Sequence, residues 1–283
     1  MQAAQRTSRL GVTTLLAVSL TGLLAVSLTG SAHAQADEQA LALVEKAGTY
    51  VAEYERRLSS VVCEERQRQE FMKPDGGVSR TRKLVSDLLI VNTSTGFLSL
   101  RDVMTVDGTR VSGREARLRK LFLENSRPPL EQARQIAEET SRYNIGIRRD
   151  LDPMMMALGV LRPGSTTQFR FTRTDDGVAF EEWPAKPGTR PDPDAMAVHG
   201  RFVIAADGQV LGSTFLADHP EGHLAVHVRY AEDPDVQLLV PVEMREEYDS
   251  IGRRRSDDTR VFSTYSNCRQ FQVIVEERLE RVK

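Results

Sequence analysis

The strongest constraint on the fold of this chain is a series of Asp-Gly turns that separate short apolar runs. An Asp-Gly pair favours a two-residue hairpin, because a type I′ turn requires positive φ at both central positions. Several hairpins in succession predict that consecutive strands pair antiparallel as a meander. The turns lie at Pro74-Asp75-Gly76-Gly77, Asp107-Gly108, Asp175-Asp176-Gly177 and Asp207-Gly208, and a further turn lies at His219-Pro220-Glu221-Gly222.

Alternation of apolar and polar residues predicts the strands themselves. It predicts strands over 82–92 and 97–106, and it is clearest in the second half of the chain. The apolar members there are Leu224, Val226, Val228 and Tyr230, then Leu238, Val240, Val242 and Met244, and finally Val261, Tyr265, Phe271, Val273 and Val275. In the last run, Cys268, Gln270 and Gln272 alternate with the apolar residues, so Cys268 is expected on the more polar face.

Helical spacing appears before and between the two groups of strands. An amphipathic helix is predicted from Glu38 to Leu58 with Asp37 as its N-cap, and an inserted helical region follows the first strands. The inserted helices are predicted over 118–122, over 130–137 and over 152–158, where Asp152 caps Pro153. The irregular loop 184–194 follows. Because a sheet with one apolar face must cover it, we expect an α+β fold: a curved antiparallel half-barrel of about ten strands with an N-terminal helix and an inserted helical plug.

The first 34 residues have the pattern of a secretory signal peptide. Arg6 and Arg9 precede an apolar stretch from Leu10 to about Leu28, and Ala32-His33-Ala34 forms a cleavage site before Gln35. The octapeptide LLAVSLTG occurs twice in this stretch, so an uncleaved membrane anchor is the alternative. We therefore predict cleavage between Ala34 and Gln35, one domain over 35–283 without a transmembrane segment, and a periplasmic or extracellular location.

Charge limits the range of partners. The chain has 38 Lys and Arg against 40 Asp and Glu, a formal net charge of −2. Such a balance gives no general attraction for nucleic acid. The arginines are scattered along the sequence, and we interpret them as residues of the solvated faces of strands and helices. Nucleic acid is therefore not an expected partner.

The order of elements resembles a known family. The N-terminal helix, inserted plug and terminal meander over 201–275 are similar to the periplasmic lipoprotein-carrier (LolA-like) and outer-membrane lipoprotein-sorting fold. Leu239-Val240-Pro241-Val242-Glu243-Met244 and Tyr265-Ser266-Asn267-Cys268-Arg269 also resemble uncharacterised secreted bacterial proteins. The resemblance implies a half-barrel fold, and it implies no catalytic or binding residue.

Local catalytic and metal-binding patterns are not found in the sequence. His219, His223 and His227 have helical ligand spacing, but Pro220 and Gly222 interrupt a helix there. On a strand, His223 and His227 lie about 13 Å apart, too far to share one ion, and only a His219/His223 pair remains. The adjacent acid pairs Glu64-Glu65, Glu181-Glu182 and Glu246-Glu247 point to opposite faces of strands. We predict no metal and no cofactor, and an undetected hydrolase stays as an alternative.

A methionine run suggests an apolar site. Met154, Met155 and Met156 are flexible and fit irregular apolar surfaces. An ordinary core helix is the more frequent reason for such a run, because most apolar helical runs belong to the core. The candidate cavity combines them with the apolar strand faces: Met154, Met155, Met156, Leu158, Leu224, Val226, Val228, Val240 and Val242. Two hypotheses follow. The leading one is a non-enzymatic binding protein that holds a lipid or lipidated segment, and the other is an envelope interaction or sensing module whose cavity its own helices fill.

The two cysteines, Cys63 and Cys268, are predicted to form a disulfide. Cys63 opens the first strand and Cys268 lies in the last, and these strands can be neighbours in a curled meander. An exported protein would keep such a bond oxidised. The alternative is two unpaired cysteines on separate strands.

Overall fold

The computed structural model describes residues 23–93, 96–122, 129–147, 149, 153–183, 196–250 and 258–270. The helices of this part are α1 (Leu23–Leu58), α2 (Arg114–Phe122), α3 (Pro129–Ser141) and α4 (Pro153–Gly159), with a 3-10 turn at Thr166–Gln168. The strands are β1 (Val61–Met72), β2 (Val78–Thr93), β3 (Gly96–Val106), β4 (Thr109–Arg110), β5 (Phe169–Thr174), β6 (Gly177–Glu182), β7 (Ala197–Ile204), β8 (Val210–His219), β9 (Gly222–Asp233), β10 (Leu238–Ser250) and β11 (Thr259–Gln270). No helix of the described ranges is long and apolar enough to cross a membrane.

All eleven strands belong to one antiparallel sheet, in the order β4-β3-β2-β1-β11-β10-β9-β8-β7-β6-β5. The chain enters the sheet in the middle, proceeds to one edge, crosses through the helices and returns from the other edge. The predicted α+β class with a large antiparallel sheet is confirmed. The sheet has eleven strands, where about ten were expected. The sheet has two faces. The inner face is the one that α1 covers, and the outer face is opposite.

Hairpin turns are present at the predicted positions, but of the four Asp-Gly pairs only Asp107-Gly108 has positive φ at both residues. At the turn between β3 and β4, Asp107 has φ 50° and Gly108 has φ 83°. Positive φ at both central positions is the property of a type I′ turn. The local chemistry of the pair therefore determines the hairpin, as expected.

The N-terminal helix is longer than predicted. α1 begins at Leu23 rather than Glu38, so Asp37 lies within it and is not its N-cap. The segment before Asp37 has many Ala and Leu residues and no Pro, and such residues favour continuation of a helix. The predicted cleavage position Ala34/Gln35 lies in this helix, and cleavage there stays a prediction.

The three inserted helices form where expected, but they cover different parts of the sheet. α4 packs on the inner face at β8 and β9, whereas α3 packs on β3. Thr140 on α3 accepts a hydrogen bond from the backbone N–H of Arg101 (3.3 Å) and donates one to the carbonyl of Ser99 (2.9 Å). β4 pairs only with Thr105 and Val106 of β3. Helix α3 thus binds backbone groups of β3 beyond this short pairing, which would otherwise be open to pairing with another chain. Asp152 and the loop 184–194 lie outside the described residues.

The strand register corrects one predicted alternation. Leu238, Leu239, Val240 and Pro241 are all buried, so the start of β10 has no exposed face. The register then shifts between Pro241 and Glu243. A β-bulge of this kind inserts an extra residue and reverses the alternation beyond it.

The predicted disulfide between Cys63 and Cys268 is confirmed, with the two Cα atoms 4.1 Å apart. The predicted face of Cys268 was wrong, because it is 5% exposed and belongs to the hydrophobic core. Asn267 has φ 52°, and the register shifts here, so Asn267 and Cys268 together lie opposite Cys63. This bulge moves Cys268 from the polar face to the inner face. Phe271, Gln272, Val273 and Val275 lie outside the described residues.

Candidate functional site

The structure places the predicted cavity residues in or against the hydrophobic core. Met154, Met155, Leu158, Val226, Val228 and Val240 are buried members of one cluster, and Met156, Leu224 and Val242 are half-buried and pack against it. The same cluster contains the apolar side of α1. The face that the sequence predicts as an apolar cavity is thus in contact with a helix of the same chain.

Helix α1 approaches this face closely. A Cβ added at Gly48 would lie 2.8 Å from the backbone oxygen of Leu161, which follows α4. Three aromatic rings meet at the same helix: Tyr54 stacks on Tyr50 with centroids 5.5 Å apart and meets Tyr230 edge-on at 6.1 Å. Such separations are those of close-packed interiors.

Polar contacts fix α1 at several points along its length. The Glu55 carboxylate is 3% exposed and accepts a hydrogen bond of 2.8 Å from Nε of Arg162. Lys46 donates to the carbonyl of Ala206 at 3.2 Å, and Arg57 donates to the carbonyl of Gln237 at 2.6 Å. The helix is bound to three separate segments of the chain, and these contacts hold it on the inner face.

The inner face is polar where β1, β2, β3, β10 and β11 meet. Glu65 on β1 is fully buried and forms a two-fold hydrogen-bonded ion pair with Arg101, in which Nη2 lies 2.9 Å from Oε1. Tyr265 donates to the same carboxylate at 3.1 Å. Burial lowers the pKa of the Arg101 guanidinium, but the adjoining Glu65 carboxylate outweighs burial and leaves this pKa above its ordinary value. Burial and the Glu65 charge raise the pKa of Tyr265.

A second buried ion pair lies nearby. Nε of Arg149 is 3.8 Å from Oε2 of Glu246, and Tyr248 donates to that oxygen at 2.6 Å. Burial is the main cause that lowers the pKa of Arg149, against the attraction of Glu246. Burial, followed by the Glu246 charge, raises the pKa of Tyr248. We call the two ion pairs, with Tyr248 and Tyr265, the buried charge cluster.

Amide side chains attach the segment after α3 to this cluster. The backbone N–H of Ile145 donates to Gln69 at 2.9 Å, and Asn144 accepts from Nη2 of Arg149 at 2.8 Å. Gln67 donates to Ser263 at 3.3 Å. The segment thereby covers the polar half of the inner face as α1 covers the apolar half. Each carboxylate of the cluster has an arginine partner and a tyrosine donor, an arrangement that stabilises charge and leaves no carboxylate open to solvent.

The sequence analysis did not identify the buried charge cluster. It treated Glu65 and Glu246 only as members of adjacent acid pairs, and the structure confirms that each neighbour points the other way. A signal was available on β1, where polar residues occupy both alternating sets from Glu64 to Glu70. A central strand without an apolar face indicates that its inner side meets polar partners.

The histidines considered as ligands each have other partners. His223 lies 2.6 Å from a carboxylate oxygen of Asp218, and His219 accepts from the backbone N–H of Glu221 at 3.1 Å. His227 lies 3.1 Å from the hydroxyl of Thr214. Within the described ranges no group of three His, Cys, Asp or Glu side chains is placed to hold a metal ion.

Two open grooves lie away from the inner face. One, of about 620 Å³, runs between α2, α3 and β3 beside Asp102. Burial raises the pKa of the Asp102 carboxyl, although Arg114 acts in the opposite direction. The other, of about 570 Å³, lies on the outer face and has Gly212, Arg201, Arg229 and Arg245 among its lining residues.

Comparison with known proteins gives little further guidance. Protein-family models give no match, and neither does a search of curated proteins. Among solved structures, the chain is similar to a DUF1329 family protein from Desulfovibrio piger, with 13% identity and a TM-score of 0.36 over 84% of this chain and 97% of that one. A TM-score this low assigns neither a fold family nor a function, and a relation to lipoprotein carriers is not among the findings.

Proposed function

We propose that this protein is an exported, non-enzymatic interaction or sensing module whose concave face is filled by its own helix. The observation that carries the proposal is the packing of α1, in which Gly48 approaches the backbone of Leu161 and Tyr54 packs on Tyr230. A carrier needs a space that a ligand can enter, whereas α1 belongs to the same core as the strands beneath it. Recognition would then use the outer surface.

Export is supported by two independent features. The sequence over 1–34 has the pattern of a secretory signal peptide, and Cys63 and Cys268 form a disulfide. Disulfides persist in oxidising compartments such as the periplasm and the extracellular space. We therefore propose that the protein acts in one of those compartments.

The absence of enzymatic activity is proposed from the state of the buried acids. Glu65 and Glu246 are the carboxylates of the buried charge cluster, and both are 2% exposed or less. Their oxygens contact Arg101, Arg149 and tyrosine hydroxyls, so they are committed to the fold.

A lipid-binding carrier is the second candidate, and one observation favours it. The surface beneath α1 is apolar across β5 to β10, and Met156, Leu224 and Val242 at its border are only half-buried. If α1 moved away, this surface would fit an acyl chain or a lipidated segment, as the resemblance to lipoprotein carriers implies. This candidate requires α1 to be displaced as the ligand binds.

Titration with a fluorescent fatty acid separates the two candidates. The interaction module predicts no saturable binding by the folded wild-type protein. A carrier predicts saturable binding that the half-buried Met156→Trp change weakens. Met196→Trp is the matched control, because Met196 is 45% exposed and lies outside the core cluster. Saturable binding that only Met156→Trp weakens would overturn our proposal in favour of the carrier.

A further inference from the structure

The outer face carries a row of side chains, four of them Arg or Lys, that the strand register brings together. Paired positions cross seven strands from β7 to β2 without a carboxylate. We call this set the basic row, and its members in spatial order are Arg201, Thr214, His227, Arg245, Phe262, Arg68 and Lys83. Neighbouring strands are about 4.8 Å apart, so the row is about 29 Å long.

The basic row is accessible. The side chains of Arg201, Arg245 and Arg68 are 53%, 57% and 49% exposed. His227 and Lys83 are also exposed. Arg68 lies over the ring of Phe262 at 4.7 Å from its centroid, which orients the guanidinium and provides an apolar contact between the charges.

A groove lies along one end of the row. Arg201, Thr214, His227 and Arg245 line the outer-face groove of about 570 Å³. The groove and the aligned register are separate observations, and both identify the same surface.

Acidic residues beside the row limit the width of any partner. Glu243 lies in the adjoining row on one side, while Glu247 and Glu70 lie in the row on the other. Rows on one face are separated by two residues, or about 6.6 Å along a strand. Glu243 and Glu247 also line the groove. A broad anionic plane such as a membrane would meet these carboxylates, whereas a narrow extended chain aligned with the row would lie between the two acidic rows.

The existing ion pairs of the row can be exchanged. Arg201 contacts Asp176 at 2.9 Å, Arg245 contacts Glu243 at 2.9 Å, and Arg68 contacts Glu70. The arginine of each pair is about half exposed, and ion pairs open to solvent contribute little to stability. Carboxylates of a partner can therefore replace them, and the planar guanidinium suits paired hydrogen bonds to carboxylate.

We propose that the basic row is a docking surface for an extended acidic segment of another protein. This inference rests on the proposed interaction function and specifies its surface and the chemistry of its partner. The attraction is local, because the whole chain has a net charge of −2 and the Debye length is about 10 Å at 0.1 M salt. Acidic side chains of the partner would lie along the row, and its backbone would occupy the groove beside Thr214 and His227.

The test is fluorescence anisotropy of a labelled peptide of alternating Glu and Gly, titrated with the full chain at low salt. Saturable binding is expected for the wild type, and the Arg201→Gln/Arg245→Gln double variant should bind about tenfold more weakly. The matched control is Arg56→Gln/Arg142→Gln, which removes the same charge from two exposed arginines outside the row. The control should stay within about twofold of the wild type, since only local charge matters.

Three results would overturn the docking surface: no saturable binding, an equal loss in both double variants, or row-dependent binding of anionic phospholipid vesicles without peptide binding. Circular dichroism of each variant verifies folding, which these exposed substitutions should preserve. The fatty-acid titration, repeated on the same proteins, keeps the two proposals separate. Failure of the peptide to bind would refute only the docking role of the basic row. Fatty-acid binding that Met156→Trp weakens would refute the proposed interaction function itself.

Discussion

Cys63 and Cys268 are joined where the first and last strands meet in the middle of the sheet, across 205 positions of sequence. Closing so long a loop restricts the unfolded chain, and in the chain-entropy model this is worth up to about 5 kcal/mol. We expect the Cys63→Ser/Cys268→Ser variant to unfold at markedly lower urea concentration, by less than this limit. Thiol titration of the unfolded, unreduced wild type should find no free thiol, and two free thiols would contradict the bond.

Glu65 and Arg101 show the cost of separating buried charges. We expect Glu65→Gln to lower the free energy of unfolding by about 3–5 kcal/mol, because the Arg101 guanidinium would remain buried without its counter-charge. The Glu65→Leu/Arg101→Met double variant should lose less stability than the sum of the losses in the Glu65→Leu and Arg101→Met single variants. Urea denaturation measures both effects, with Glu53→Gln as the control in an exposed ion pair with Arg56. Additive losses in the double variant would show that the two side chains are not coupled.

The raised pKa values of Tyr248 and Tyr265 predict that the protein becomes less stable at alkaline pH. Burial is the first cause that raises the pKa of each above the ordinary value of 10.0. The unfolded chain releases these protons near pH 10 while the folded protein keeps them, so the free energy of unfolding is unaffected below that pH and falls as pH rises above it. Denaturation midpoints should therefore fall less steeply above pH 10 in the Tyr248→Phe/Tyr265→Phe variant. An unchanged slope would contradict this assignment.

In helix α1, we expect a Gly-to-Ala substitution to have the opposite effect on stability from the one that helix propensity predicts. Replacing a helical Gly by Ala usually stabilises by about 1 kcal/mol. At Gly48 the new Cβ would lie 2.8 Å from the Leu161 oxygen, so we expect Gly48→Ala to destabilise the protein. Gly159 is the control, because a Cβ there would make only ordinary contacts with Arg162 at 3.7 Å. Thermal unfolding compares the two, and a stabilised Gly48→Ala protein would show that α1 is packed more loosely than described.

Elements with local signals were predictable, and elements shaped by distant contacts were not. Asp107-Gly108 encodes its hairpin within two residues, and the alternation of β9 identifies its inner side. The bulge at Asn267 reverses the face of Cys268 through the pairing with β1, which lies some two hundred residues away in sequence. Likewise, the fully buried start of β10 has no alternation to detect. Sequence periodicity gives the strands but cannot locate the bulges between them.

At the scale of the whole molecule, the sheet order explains why the buried charge cluster and the basic row could not be predicted from the sequence. β1 lies between β2 and β11, so side chains from both ends of the chain become neighbours in the middle of the sheet. The buried charge cluster combines Glu65 and Arg101 with Arg149 and Glu246 in this way. The basic row arises likewise from arginines that are isolated in the sequence. Neither set has a spacing that could be recognised without the register.

Hydrogen exchange measured by mass spectrometry tests the central claim, that α1 is a permanent part of the inner face. The buried residues from Ala40 to Leu58 belong to the same core as β9 and β10. The account predicts that amides in this part of α1 exchange only through global unfolding, at the same free energy as those of β9 and β10. If α1 exchanged at much lower free energy while both strands stayed protected, the helix would be a displaceable cover and the self-filled interaction module would be wrong.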